Sequence, residues 1–227
     1  MKFPDLHPWN LTSKEAIALQ KELARRVVLR DELPAAVRLV AGVDVSCARF
    51  GTTVFAAVVL FDLVDNAVVE TASAQAEGAF PYVPGLLSFR ELPVVLAAFH
   101  KLQRVPDVVL VDGQGLAHPR RLGIASHLGL WLGLPTVGCA KSRLCGKHEP
   151  PGLKRGEWAG LRDDGEEIGR VLRTRDRIKP LYISPGHLVS MERAVQIVLD
   201  CGRGYRLPEP TRLAHVESNR LREAVRR

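Results

Sequence analysis

Two runs of aliphatic residues in this sequence each carry an aspartate at or near their end. Asp44 lies in the stretch Val40-Ala-Gly-Val-Asp-Val-Ser46, and Asp112 directly follows Val108-Val-Leu-Val111. Short runs rich in Val and Leu are typical of strands that are buried within a sheet. A charged side chain in such a place is costly unless a partner compensates it. The two runs therefore predict buried strands that bring two carboxylates to neighbouring strand ends.

A third acid extends this pair into a candidate metal site. Glu91 lies near the start of a predicted helix, in the stretch Ser88-Phe-Arg-Glu-Leu-Pro93. Carboxylate oxygens that converge in this way suit Mg²⁺ or Mn²⁺ and the hydrolysis of a phosphodiester. Each acid also has an ordinary structural explanation. An aspartate at a strand end often caps a turn, and a first-turn glutamate favours the helix dipole.

The order of the predicted elements favours an α/β fold. An amphipathic helix over residues 13–30, begun by a capping box of Thr12 and Glu15, precedes three strands whose short connections suit antiparallel hairpins. Strand–helix–strand units follow. This order is that of a ribonuclease H-like mixed sheet with helices on both faces, whereas a Rossmann sheet requires a helix between its first strands. We expect a single domain over residues 1–227.

The remaining elements follow from hydrophobic periodicity and turn residues. Residues 147–164, rich in Gly, Pro and charge, are predicted to be a loop, and the chain from Thr211 is compatible with a helix. The predicted strands are residues 39–47, 52–62, 66–75, 107–111, 135–140, 167–174 and 180–184, and the later helices are 88–102, 123–132 and 190–199. The first hairpin connections are placed at residues 49–51 and 65–66.

Charge and cysteine usage narrow the class of protein. The net charge of +7 favours a polyanionic partner, of which nucleic acid is the commonest. No apolar run reaches about 18 residues, and the first residues lack a signal-peptide core, so we expect a cytoplasmic protein without a membrane span. The four cysteines show no C-x-x-C spacing and are expected to be reduced thiols.

Three further stretches carry residues suited to ligand binding. The glycines of Asp112-Gly-Gln-Gly115 permit close backbone approach to a ligand, or form a plain tight turn. Lys141, just beyond a predicted strand, either neutralises charge on a phosphate or extends into solvent. Tyr82 is held between two prolines and suits a wedge between bases, or a packed surface turn.

Four longer segments, together with the Asp44 strand, resemble the endonuclease V family. They run in family order from about residue 14 to residue 215, and each motif position carries the family's residue type. The segments are Pro81-Tyr-Val-Pro-Gly-Leu-Leu-Ser-Phe-Arg-Glu91, Val111-Asp-Gly-Gln-Gly-Leu-Ala-His-Pro-Arg120, Gly138-Cys-Ala-Lys-Ser142 and Leu207-Pro-Glu-Pro-Thr-Arg-Leu-Ala-His215.

The resemblance implies a DNA repair enzyme that recognises deoxyinosine and cuts the second phosphodiester bond on its 3′ side. The products would carry 3′-hydroxyl and 5′-phosphate ends, and the cofactor would be Mg²⁺, with Mn²⁺ as a substitute. By resemblance, Asp44 and Asp112 would ligate the metal, and Glu91 would join that site or order its water. Lys141 would stabilise the scissile phosphate, and His215 would assist from the C-terminal segment.

The resemblance also implies how the lesion is reached. A wedge would part the strands there, and a pocket would receive the flipped hypoxanthine base. The wedge would be Pro81, Tyr82, Val83 and Pro84, and the pocket would involve Leu87, Gly113 and Gly123.

Two other functions remain open at this level. An endoribonuclease that cuts inosine-containing RNA would share the fold and differ in contacts with the 2′-hydroxyl. A non-catalytic module that binds deaminated bases is the other, although pure binding does not require clustered acids beside a polyanion. We expect a monomer that acts on DNA containing deoxyinosine.

Overall fold

The computed structural model describes residues 1–47 and 52–225, and over these residues the chain forms eight strands and five helices. The strands are β1 (Leu39–Cys47), β2 (Thr53–Asp62), β3 (Ala67–Glu77), β4 (Val108–Val111), β5 (Thr136–Ala140), β6 (Trp158–Asp163), β7 (Glu166–Leu172) and β8 (Leu181–His187). The helices are α1 (Ser13–Ala24), α2 (Leu87–Lys101), α3 (Ile124–Leu132), α4 (Met191–Asp200) and α5 (Glu209–Ala224).

These strands form one mixed sheet in the order β3-β2-β1-β4-β5-β8-β7-β6. β1 pairs antiparallel with β2 and parallel with β4, and β4 pairs parallel with β5. The other half of the sheet, from β5 through β8 and β7 to β6, is antiparallel. The predicted α/β class with a mixed sheet is therefore confirmed.

Strands β1 and β4 are covered on both faces. Successive side chains of a strand point to opposite sides of the sheet. Ala41, Val43 and Val111 pack in the cluster that contains α2 and α3, whereas Val40 and Leu110 pack in the cluster that contains α4. Burial on both faces explains why these strands are continuous aliphatic runs and not alternating ones.

The first helix is shorter than the predicted 13–30. It begins at the predicted capping box but ends at Ala24. Beyond it, the N–H of Val28 donates to Nδ1 of His187 at 3.2 Å, and the carbonyl of Val28 accepts from the N–H of Leu188 at 2.7 Å. These contacts hold the segment after α1 against the end of β8. The apolar Val28 therefore belongs to the connection between α1 and β1 and not to the helix.

The predicted loop over 147–164 is wrong in part, because it contains β6. This strand lies at the edge of the sheet, and Leu161 is the one buried residue among its six. Such a strand offers no apolar alternation by which to recognise it. The predicted pairing of 167–174 with 180–184 is confirmed by β7 and β8. The predicted connection at 49–51 lies outside the described residues.

Two sequence expectations concern thiols and membranes. All four cysteines are free, as their spacing predicts. Among the described residues, no helix combines the length and the apolar character needed to cross a membrane.

Candidate metal centre and substrate cavity

Strand pairing places Asp44 beside Asp112. In the parallel register of β1 and β4, Val43 lies opposite Val111, and the N–H of Asp112 donates to the carbonyl of Val43 at 3.0 Å. The next residue in each strand is an aspartate, so both carboxyl groups emerge at the same end of the sheet. The structure thus brings together the two acids that the sequence singles out.

Helix α5 adds a third group to this pair. Gly42 gives the helix room, because a Cβ atom there would lie 2.0 Å from the carbonyl carbon of Pro210. Close packing on β1 brings Nδ1 of His215 to 3.3 Å from Oδ2 of Asp44. One possible ligand atom from each of Asp44, Asp112 and His215 lies within 4.8 Å of the other two. Two carboxylates and one imidazole at this spacing can hold a divalent cation.

The acids of this cluster are short of compensating charge. Burial raises the pKa of Asp44 above its usual range, a hydrogen bond from Ser218 opposes the rise, and the adjacent Asp112 adds to it. Lys141 forms an ion pair with Asp112. One lysine beside two carboxylates leaves negative charge that a bound cation would neutralise, so the donor set fits a hard divalent ion.

Glu91 lies on α2 and lines the same cavity as the cluster. Burial and then the negative charge of Asp44 raise the pKa of Glu91 to about 7, and Arg90 opposes this. Among the described residues, the close cluster consists of Asp44, Asp112 and His215, so Glu91 stands outside it. The role expected of Glu91, to join the metal site or to order its water, stays a prediction.

The cluster opens into a cavity of about 530 Å³. The predicted base-pocket residues Leu87, Gly113 and Gly123 line this cavity. A Cβ atom at Gly123 would lie 2.2 Å from the carbonyl oxygen of Gln114, so glycine is what lets these two backbone segments meet. A concave site of this size has room for a nucleobase together with part of its sugar–phosphate backbone.

His118 forms part of the cavity wall in one defined tautomer. Its Nε2–H donates to the carbonyl of Gly85 at 3.1 Å, and its Nδ1 accepts from the N–H of Arg120 at 3.1 Å. Burial, and then the charge of Arg120, lower the pKa of His118 to about 4. The neutral imidazole therefore holds the end of the Pro81–Gly85 loop against the cavity.

That loop presents Tyr82 to solvent. The side chain of Tyr82 is 72% exposed, while Phe80 and Leu86 on either side of the loop are buried. The guanidinium of Arg90 donates to the carbonyl of Phe80 at 2.8 Å, and the N–H of Leu86 donates to the carbonyl of Val83 at 2.9 Å. A large exposed ring on a loop anchored at both ends fits the predicted wedge, a role that stays a prediction.

Several cavity residues escaped the sequence analysis. For those on α5, the available signal is helical spacing from His215 along the stretch from Thr211 that is compatible with a helix. Ser218, three residues on, donates a hydrogen bond to Asp44, and Asn219 and Arg222 line the cavity. On β1, Ser46 lies two residues after Asp44 and lines the cavity as well.

Comparisons with known proteins agree over nearly the whole chain. The profile of the family described as Endonuclease V matches residues 21–216. Endonuclease V from Trichormus variabilis is 52% identical over 215 residues, which cover 94% of this chain and 97% of that protein.

Solved structures show the same similarity in three dimensions. The endonuclease V of Streptomyces avermitilis matches with a TM-score of 0.91 and 45% identity, over 96% of each chain. That of Ciona intestinalis, solved in complex with a 24mer DNA containing an inosine followed by a ribo-adenosine, matches with a TM-score of 0.82 and 26% identity, over 93% of this chain and 98% of that one. These similarities confirm the ribonuclease H-like fold. The chain belongs to the endonuclease V family, and is therefore a nuclease.

Proposed function

We propose that this protein is a metal-dependent DNA repair endonuclease that recognises deoxyinosine. It cleaves the second phosphodiester bond 3′ to the lesion and leaves 3′-hydroxyl and 5′-phosphate ends. The observation that carries this proposal is the cluster of Asp44, Asp112 and His215, which opens directly into a cavity large enough for a flipped nucleotide. Membership of the endonuclease V family supports the same reaction.

The residues that would hold the cation are Asp44 and Asp112, with His215 in the same cluster and Glu91 on the cavity wall. Carboxylate oxygens suit Mg²⁺, and Mn²⁺ accepts an imidazole nitrogen as well. When bound, the cation supplies positive charge that polarises the phosphodiester and lowers the pKa of an attacking water. Glu91 lines the same cavity, and with a pKa near 7 it would order that water and accept its proton.

The positive charge of Lys141 complements the phosphate. Its ammonium group contacts Asp112, so it lies at the border between the acids and the cavity. The ammonium group of Lys141 would stabilise the negative charge that develops on the phosphate oxygens during cleavage. It would already be in place and would not need to move. Ser218 and the buried wall around Asp44 hold that carboxylate in place for the same step.

The cavity would read the base by hydrogen bonds to its edge. Hypoxanthine pairs weakly with its partner, so its extrusion from the duplex costs less than that of a normal base. Hypoxanthine presents a carbonyl acceptor and an N–H donor, whereas adenine presents a donor and an acceptor at the same two positions. Each buried group of the cavity that adenine leaves unpaired costs about 1–3 kcal/mol. Main-chain groups at Leu87, Gly113 and Gly123 would supply this recognition.

Tyr82 would part the strands at the lesion. Its exposed ring and the flanking prolines fit insertion between bases, because a rigid loop loses little entropy on binding. The Ciona intestinalis relative was solved with inosine-containing DNA, which supports a nucleic-acid substrate for this chain too. We expect a monomer to be sufficient, since the acids, cavity and loop all belong to one chain.

A nicking assay on end-labelled oligonucleotides tests the proposal. One strand carries a central deoxyinosine, and its matched controls carry deoxyadenosine or deoxyguanosine. We expect Mg²⁺-dependent cleavage of the inosine strand at the second bond on the 3′ side, and none of the controls. Cleavage of all three strands alike, or of none with either Mg²⁺ or Mn²⁺, contradicts the proposal.

The same assay separates DNA from RNA as the substrate. The relative from Ciona intestinalis held DNA in which a ribo-adenosine follows the inosine, so the sugar at that position is the informative variable. Three matched strands carry all-deoxy sugars, one ribose 3′ to the inosine, or all-ribose sugars. A DNA repair enzyme cuts the all-deoxy strand at least as fast as the all-ribose strand, whereas the opposite ranking identifies an endoribonuclease.

A further inference from the structure

We propose that Ser46 and Arg222 form a second phosphate-binding subsite in the cavity, which receives a phosphate next to the one that is cut. The inference rests on the proposed function, because it concerns how the same nucleic-acid strand continues past the acids. It adds a contact that neither the sequence motifs nor the metal cluster assigns.

The first observation is a concentration of unpaired buried polar atoms. Among the described residues, five buried side-chain nitrogen or oxygen atoms have no hydrogen-bond partner. Three of them belong to residues that line this cavity, namely Ser46 Oγ, Gln114 Oε1 and Arg222 Nε. A buried group without a partner costs about 1–3 kcal/mol. Their concentration around one cavity indicates that a ligand completes them.

The second observation is the position of Ser46 and Arg222 relative to the acids. Ser46 follows Asp44 by two residues on β1, so both side chains emerge on the same face of the sheet. Arg222 follows His215 by seven residues on α5, which is two helical turns on the same side. Strand β1 and helix α5 thus run side by side from the metal cluster to Ser46 and Arg222.

Ser46 and Arg222 both line the wall of this cavity. Cys47 directly follows Ser46, and the positive charge of Arg222 acts on its thiol. Burial, and next the charge of Glu91, raise the pKa of Cys47, whereas Arg222 is among the groups that lower it. This influence agrees with the place of Arg222 on the cavity wall.

The chemistry of the pair suits a phosphate. A guanidinium and a hydroxyl both donate hydrogen bonds, and arginine matches phosphate oxygens with a planar set of donors. Glu91 lines the same cavity and could have neutralised Arg222. Within the described part of the chain, however, Arg222 makes no ion pair. Gln114 Oε1 can only accept hydrogen bonds, so it is unsuited to phosphate and lies outside the subsite.

Helix α5 also offers a matched control. Arg220 lies two residues from Arg222, but it is ion-paired with Glu217 at 2.7 Å and its side chain is 65% exposed. It does not line the cavity. Substitution of either arginine by glutamine removes one positive charge from the same helix, so long-range electrostatics change almost equally in the two variants.

The experiment measures binding of deoxyinosine DNA by fluorescence anisotropy, without a divalent cation so that no cleavage occurs. We expect Arg222→Gln to raise the dissociation constant about tenfold. It should also reduce the magnitude of the slope of log affinity against log salt concentration by about 0.7–0.9, the change expected when one phosphate contact is lost. Arg220→Gln should stay within about twofold of the wild type. Ser46→Ala should weaken binding less than Arg222→Gln, because it removes a neutral donor.

Neutral methylphosphonate linkages identify the phosphate concerned. We replace one phosphate at a time beside the scissile bond and measure DNA binding by the wild type and by Arg222→Gln. At one position, the replacement should weaken binding by the wild type but not by Arg222→Gln, because the contact is already lost. A structural role of Arg222 would lower affinity without this coupling to one phosphate. Arg222→Lys, which keeps the charge, should recover part of the affinity.

Failure of this inference can be told apart from failure of the proposed function. Wild-type protein that nicks deoxyinosine DNA, with equal methylphosphonate effects in the wild type and Arg222→Gln, overturns the subsite alone. Wild-type protein that does not nick that DNA contradicts the proposed function. Equal melting temperatures of the wild type and Arg222→Gln exclude misfolding, and Arg222→Lys replaces the glutamine variant if they differ.

Discussion

Gly42 in β1 packs directly against the backbone of Pro210 at the start of α5. A Cβ atom at Gly42 would lie 2.0 Å from the carbonyl carbon of Pro210 and 2.1 Å from its carbonyl oxygen. This close approach sets the height of α5 above the sheet, and through it the distance from His215 to Asp44. A glycine in a strand thereby positions a helix that completes the site.

The first prediction concerns that packing. Gly42→Ala forces two backbones apart, so we expect a loss of about 1–3 kcal/mol in the free energy of unfolding and a larger proportional loss of nicking. Urea unfolding and the nicking assay measure the two effects. Gly160→Ala in β6 is the control, because the nearest atom to its new Cβ would be 3.8 Å away. Equal activity in Gly42→Ala and wild-type protein contradicts the role assigned to this contact.

The second prediction is a loss of stability in acid through His118. The folded protein protonates this buried imidazole only near pH 4, whereas the unfolded chain does so near the ordinary pKa of 6.5. The unfolded state therefore binds more protons below about pH 6.5, and stability falls from there towards pH 4 by up to about 3 kcal/mol. Above pH 7 the group contributes no pH dependence.

His118→Asn tests this, because asparagine keeps an acceptor for the N–H of Arg120 but does not titrate. Unfolding free energies of this variant should fall less steeply between pH 6.5 and 4.5 than those of the wild type. His127 and His187, whose pKa values burial also lowers, leave a residual slope. Identical slopes in the two proteins would show that His118 is not the group responsible.

The third prediction links cation binding to protons at Glu91. Since burial and the charge of Asp44 raise the pKa of Glu91 to about 7, the carboxyl group is largely protonated at pH 6 and ionised at pH 8.5. A nearby cation favours the ionised form, so binding releases protons at pH 6 and few at pH 8.5. Calorimetric titration with Mn²⁺ in buffers of different ionisation enthalpy counts them.

Glu91→Gln should release fewer protons than the wild type at pH 6. Asp44, whose pKa is also raised by burial, accounts for the remainder. If the wild type and Glu91→Gln release the same number of protons, Glu91 does not lie close to the bound cation.

The fourth prediction concerns the exposed ring of Tyr82. Tyr82→Ala should leave the unfolding midpoint unchanged, since the side chain is 72% exposed, and should weaken binding of deoxyinosine duplex several-fold without a change in Mn²⁺ affinity. Tyr82→Phe keeps the ring and should bind like the wild type. Tyr205→Ala removes another exposed tyrosine, stacked under Arg212, and controls for loss of an aromatic surface group. Equal affinity of the wild type and Tyr82→Ala for the duplex refutes the wedge.

The sequence predicts the acids of the site well, because a charge in an aliphatic strand is conspicuous. Asp44 and Asp112 interrupt or end such runs, and the structure pairs β1 with β4 in parallel so that the two acids meet. Lys141 is found in the same way, just after a buried strand. These positions depend on local patterns that a single sequence carries.

The residues of α5 depend on a tertiary contact and escape that reasoning. Ser218 and Arg222 are ordinary polar residues on an otherwise polar helix, and only their spacing from His215 indicates which side faces the sheet. The contact of Gly42 with Pro210 decides it, and that contact spans most of the chain. The wrong length predicted for α1 has a similar origin, since the contact of Val28 with Leu188 ends the helical pattern.

We propose that Asp44 and Asp112, joined by His215, hold a divalent cation. Anomalous diffraction from crystals soaked in Mn²⁺ tests it most directly, with Asp112→Asn crystals as the matched control. We predict one strong anomalous peak between the Asp44 and Asp112 carboxylates in the wild type and a weak or missing peak in the variant. A wild-type map with no peak between these carboxylates, or a peak of equal height in both crystals, would contradict the claim.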